Sequence, residues 1–232
     1  LQAFDHRDQR QEHRDDDRAD RAAQEHDQHR FDQLDQAADG DVRLLWRFPS
    51  RRLEGEAVRD SMLAVSGRLN LTPGGRGFFP HLSGEVLAGG SRPGTDWEVS
   101  SETEQARRSV YMYIRRTSMV PFLEAFDYSN ATSPLNERPV TTVAPQALYL
   151  MNDTWVWDQA HRAAARLSVQ PAQGMALEAR LSTLHREILL REPTAVELDL
   201  GRRYLRGNEN AADAWAAWVH ALLASVEFRM VY

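Results

Sequence analysis

The chain contains no cysteine. Disulfides, thiolate metal sites, a cysteine nucleophile and covalent CxxCH haem attachment are therefore excluded. Lysine is absent as well, and all 28 basic residues are arginine. Mechanisms that need a lysine amine, such as a Schiff base or a phosphate-loop lysine, are closed to it. No apolar run nears 18 residues, and no apolar signal-peptide segment opens the chain. No membrane span is expected. With neither haem attachment nor cluster ligands, no cofactor is assigned.

Hydrophobic residues make up 42% of the 232, enough for a core of one domain with or without an appendage. The net charge of −6 is unevenly placed. Residues 1–40 hold 12 acids and 6 arginines, whereas residues 41–232 hold 22 of each. A neutral body argues against a nucleic-acid partner, which needs a basic face. The first tract is nearly all Asp, Glu, Arg, His and Gln, with Phe4, Phe31 and Leu34 too sparse to build a core. Residues 1–42 are expected to be a charged tail, disordered or mis-translated, because wrong-frame reading of a GC-rich gene yields these residue types. His26 and His29 have metal-ligand spacing, but no core is at hand to preorganise them. No metal site is assigned. The first residue is Leu1, as expected of a fragment or trimmed product.

Residues 43–232 are expected to form the folded domain. The spacing of Leu53, Ala57, Met62, Val65 and Leu69 predicts a helix over 51–69, with Ser50 as N-cap. Residues 72–95 hold 7 of the 13 glycines and 3 of the 10 prolines and read as a long loop with a short element near 85–88. Gly74, Gly75 and Gly77 lack the strand and helix context of a phosphate cradle. Ser101 and Glu104 predict a cap ahead of a helix over 102–116, although 110–114 also fits a buried strand. Pro121 is expected to end or bend it, leaving 122–142 largely loop. Pro145 suits the first turn of a helix over 143–151. Further helices follow from Val156, Ala160, Ala163 and Leu167, and from Leu177, Leu181, Leu184 and Ile188. Thr194 and Glu197 form a second capping box. Trp215, Trp218, Val219, Leu222, Leu223 and Val226 form a last apolar seam. The predicted fold is mainly α: an antiparallel helical bundle with a Gly/Pro-rich loop and a polar signature loop.

Several segments carry a resemblance: RRLEGEAVRDSMLAVSGRL at 51–69, RRSVYMYIRR at 107–116, FDYSNATSPLNERPVTTVAPQALYLMND at 126–153, LHREILLREPTAVEL at 184–198 and ALLASVEF at 221–228. In this order they resemble the C-terminal planctomycete-specific domain, a family of unknown function. The resemblance runs over about residues 43–230. That domain follows a helical domain, often with a cytochrome c-like domain ahead of it, in larger exported proteins. The resemblance implies a truncated member, partners in those upstream domains, and a periplasmic or exported location. It transfers no catalytic residue.

The signature loop itself offers ligand-binding candidates: Asp127, Asn136, Glu137, Arg138, Thr142 and Gln146, with Thr141 beside them. Asp127 and Glu137 have the chemistry of a paired acid and base, and Arg138 that of an anion clamp. Alternatively, Arg138 pairs with Asp127 or Glu137 and pins the loop to the bundle. His161, His185 and His220 lie on separate helices, where packing roles outweigh metal binding. Trp97, Trp155 and Trp157 are candidates for stacking sugars, whereas Trp215 and Trp218 suit the core. No G-x-S-x-G context supports a serine hydrolase. Two functions follow as expectations. One is a non-catalytic interaction or scaffolding module. The other is a carbohydrate-binding or carbohydrate-active domain for anionic polysaccharide on Asp127, Glu137 and Arg138.

Overall fold

The computed structural model describes residues 51–88, 97–129, 136–169, 176–208 and 211–231, together with Arg43, Phe48 and Ser50. The charged tail, and with it His26 and His29, lies outside the described residues. The chain divides into two compact units, Leu1–Ser50 with Tyr232, and Arg51–Val231.

The second unit opens and closes on a two-stranded antiparallel ribbon. β1 (Arg51–Arg52) pairs with β2 (Met230–Val231), Arg51 opposite Val231 and Arg52 opposite Met230. Between them lie nine α-helices among the described residues. The first is α1 (Gly55–Val65), whose Val58, Met62 and Leu63 are buried. It starts at Glu54 rather than Ser50, because Arg51 and Arg52 are drawn into the ribbon by the far end of the chain. It stops at Ser66, and Gly67 follows at φ 74°, a left-handed position that glycine fills without strain.

The expected loop contains α2 (Gly84–Ala88), where the short element was anticipated. The expected helix over 102–116 is broken. Ser101 does cap α3, through its hydroxyl and the Glu104 amide, but α3 is only Glu102–Gln105. A 3₁₀ turn (Ser109–Tyr111) comes next. Then Phe78 donates to the Tyr111 carbonyl at 2.9 Å, and Tyr113 donates to the Phe78 carbonyl at 2.8 Å. Pairing with a residue more than 30 positions earlier outweighs the local helical preference. Pro121 opens a helix instead of ending one: it occupies the first turn of α4 (Pro121–Ala125), where its missing N–H is no loss.

The remaining helices fall close to expectation: α5 (Ala144–Asn152), α6 (Thr154–Val169), α7 (Leu177–Leu189), α8 (Ala195–Leu205) and α9 (Ala212–Leu223). The full capping box forms at Thr194 and Glu197. Among the described residues, α6 and α9 make the most extensive helix–helix contact, and they run antiparallel: His161 faces Asp213, while Trp157 meets His220 eight positions from the start of α9. The small residues Ala160, Ala163 and Ala216, all fully buried, allow this approach. α7 and α8 form an antiparallel hairpin, with Glu178 bound to Arg202 across it. Trp215, Trp218, Val219 and Leu223 are buried, but Val226 lies beyond the helix end and is exposed. The fold is mainly α, as expected. No helix among the described residues is long and apolar enough to cross a membrane.

Candidate functional site

The signature loop is held by two arginine clasps, and both arginine–carboxylate pairings differ from the expected one. Asp127 does not meet Arg138. Its Oδ2 accepts from Arg52 at 2.7 Å and from the Thr141 amide at 2.8 Å, and the Thr141 hydroxyl donates to it at 2.9 Å. Arg52 is almost wholly buried. It also donates to the carbonyls of Thr141 (2.7 Å), Leu53 (2.6 Å) and Phe126 (3.3 Å), and lies over the Phe126 ring. One guanidinium thus ties β1 to both ends of the loop. Gln146, fully buried, donates to the Thr141 carbonyl at 3.1 Å.

Arg138 forms the second clasp. It binds Glu56 through two parallel bonds of 3.0 Å, reaches Glu54 at 3.2 Å, and covers the Tyr128 ring. The hydrogen bonds to Glu56 hold its pKa above the ordinary arginine value. Its acidic partners come from the start of α1, more than 80 residues away, because that is where the loop lands. Asn136, Glu137 and Thr142 are exposed. The structure therefore gathers Asp127, Thr141 and Gln146 with Arg52, and Arg138 with Glu54 and Glu56. It does not bring Asp127, Glu137 and Arg138 into one constellation.

The histidines have separate roles. His185 is buried, and its Nδ1 lies 3.0 Å from the Leu181 carbonyl. His161 and His220 meet the edges of Trp157, and His220 Nε2 lies 2.9 Å from the Leu150 carbonyl. Among the described residues, no three His, Cys, Asp or Glu side chains cluster as metal ligands.

Sequence reading missed a cleft of about 470 Å³ between α1, α3, α4 and the α5–α6 junction. Its wall is aromatic. Phe122 meets Tyr149 edge-on at 5.6 Å and tilts against Trp155 at 6.5 Å. Asp153 caps α6, its Oδ1 accepting from the amides of Trp155 (2.9 Å) and Val156 (3.1 Å). Burial, then the charge of Asp153 and a hydrogen bond to it, push the Tyr149 phenol well above its usual pKa, so Tyr149 stays a neutral donor. At the floor lies Arg59, buried, its guanidinium over the rings of Phe78 (5.3 Å) and Trp155 (5.4 Å). It donates to the Arg107 carbonyl, the Ser109 hydroxyl and the Gln105 carbonyl. Burial, partly offset by Asp60, pulls its pKa down to about 10, so it is cationic at neutral pH. A smaller depression of about 140 Å³ adjoins the cleft, sharing Gln105, Trp155 and Asp158 and ending at Arg68, Glu102 and Arg162. Of its lining residues, only Trp155 stands out in the sequence as a candidate for stacking a ligand. The other parts come from five separate segments.

The fold and these sites define a mainly helical domain whose signature loop is clasped by arginines beside an aromatic cleft. Residues 23–205 match the family described as PSD1, protein of unknown function (DUF1553), and the chain belongs to that family. The match starts inside the charged tract, earlier than the resemblance suggested, and ends with α8. No curated protein and no solved structure matches the chain.

Proposed function

We propose that this chain is a non-catalytic interaction module of a larger exported, cytochrome-associated protein. One observation carries this reading. The signature region turns three of its candidate polar residues inward and several of its apolar residues outward. Asp127, Arg138 and Gln146 bond within the chain, whereas Val140, Val143, Leu148 and Met151 are 62%, 45%, 56% and 59% exposed. Leu148 and Met151, three apart on α5, share a face, and half-exposed Trp157 follows at the start of α6. A reactive loop would present the reverse. Exposed apolar rows of this kind suit a protein interface. The occupant we assign is the helical domain that precedes this one in longer proteins of the kind it resembles.

An anionic-polysaccharide site on Asp127, Glu137 and Arg138 has less support. A ligand there would have to displace Arg52 from Asp127 and Glu56 from Arg138, leaving buried charges unpaired.

The test is calorimetric titration of the full 232-residue chain with that helical domain, repeated with Leu148→Asp/Met151→Asp. Measurable binding that weakens about tenfold or more in the double variant is expected, since central interface residues each contribute on the order of 1–2 kcal/mol. Its melting temperature should be unchanged. Absence of binding, or binding indifferent to the substitutions, rejects the reading.

A further inference from the structure

We propose that the cleft between Arg59 and Asp153 binds a neutral saccharide, stacked on Trp155 and Tyr149 and hydrogen-bonded to the carboxylates of Asp153 and Asp158. This goes beyond the docking role and rests on different residues.

Size permits it: about 470 Å³ falls within the roughly 300–1,000 Å³ typical of small-molecule sites. The hydrogen-bonding inventory then selects the ligand. The strongest donors around the cleft are committed within the chain, with the exposed His81 ring and Thr154 hydroxyl also on its lining. Arg59 donates to Gln105, Arg107 and Ser109; the Gln105 amide donates to the Ser100 carbonyl; Tyr149 is bonded to Asp153. Acceptor capacity remains, because a carboxylate offers about four lone-pair sites. Asp153 Oδ1 receives two amides, and Asp158 Oδ2 receives Arg162 and Gln159. A fitting ligand must therefore bring donors, as the hydroxyls of a sugar do.

Charge disfavours the rival classes. An anionic ligand would meet the carboxylates of Asp153 and Asp158, while the guanidinium of Arg59 is held by Gln105, Arg107 and Ser109. A cation would lie on Trp155, which already has the Arg59 guanidinium 5.4 Å from its ring centre, and like charges on one ring repel. A neutral sugar avoids both penalties. Its apolar C–H face covers the indole and phenol, and its hydroxyls reach the carboxylates. The adjoining depression past Trp155 extends the groove, so an oligosaccharide fits better than a single ring.

The experiment follows tryptophan fluorescence and calorimetry of the full chain. It is titrated with β-1,4-linked oligosaccharides of glucose, mannose and xylose, and with a sulfated oligosaccharide and choline for comparison. Saturable binding of at least one neutral oligosaccharide is expected, weakened about tenfold in Trp155→Ala. Asp153→Asn keeps the helix cap, since asparagine caps as well as aspartate, and removes the charge. It should weaken binding at least about threefold with the fold intact. Failure of all three neutral ligands at millimolar concentration, preference for the sulfated ligand or choline, or undiminished affinity in Asp153→Asn overturns the proposal.

Discussion

Asp127 meets two demands at once. Its backbone sits at φ 60°, a left-handed conformation that costs an ordinary residue about 1–2 kcal/mol, and its carboxylate is the acceptor on which Arg52 and Thr141 converge. Aspartate tolerates the first better than most residues and supplies the second. Two substitutions separate these roles. Asp127→Ala loses the carboxylate and keeps the strain, leaving Arg52 buried beside an empty partner position. A loss of roughly 3 kcal/mol by urea denaturation is expected. Asp127→Gly also loses the carboxylate but relieves the strain, and should lose less. Equal losses would show that the left-handed backbone carries no energetic weight. Asp127 was legible in the sequence as a polar loop residue. Its partner Arg52, 75 positions earlier, was not, because one arginine among 28 carries no local mark of burial.

Helix periodicity was read well wherever a helix buries one continuous face, as α6, α7 and α9 do. It failed at 102–116, where the backbone of 111–113 pairs with Phe78, an interaction no window of local sequence contains. Gly201 marks a helix–helix contact that composition hides. It lies within α8, where alanine is intrinsically better by about 1 kcal/mol. Yet a Cβ there would stand 2.8 Å from Leu181 Cδ1 and 3.3 Å from the Trp218 ring. The clash outweighs the propensity, because overpacking a filled core costs about 1–3 kcal/mol. Gly201→Ala should therefore destabilise the chain by roughly 1 kcal/mol in chemical denaturation. A gain would mean that Leu181 moves aside at little cost and that the α7–α8 contact is loose.

Across the whole molecule, an ionic network links three parts of the fold. Arg191, after α7, binds Glu197 of the α8 capping box at 2.7 and 2.8 Å and Glu227 near the C-terminal strand at 2.5 and 2.7 Å. Hydrogen bonds from Arg191, with those from Thr194, hold the Glu197 carboxyl down at about 2. A depressed carboxylate contributes its stability in full above its unfolded value near 4.5 and loses it as pH falls towards 2. The wild type should exceed Glu197→Gln in melting temperature at neutral pH, and the difference should shrink between about pH 4.5 and 2. A difference constant across that window would remove the carboxylate from the account of acid stability.

Composition and periodicity alone determined the helical class, the caps at Ser101 and Thr194, and the exclusion of thiol and lysine chemistry. These depend on residue identity and on neighbours three or four positions apart. Only the tertiary structure decided which charges pair and where a cleft opens. Arg52 with Asp127, Arg138 with Glu56, and Trp155 over Arg59 each join segments about 75 to 100 residues apart. Such pairs form because the packed helices bring them together, and their energy depends on burial that no single segment can supply.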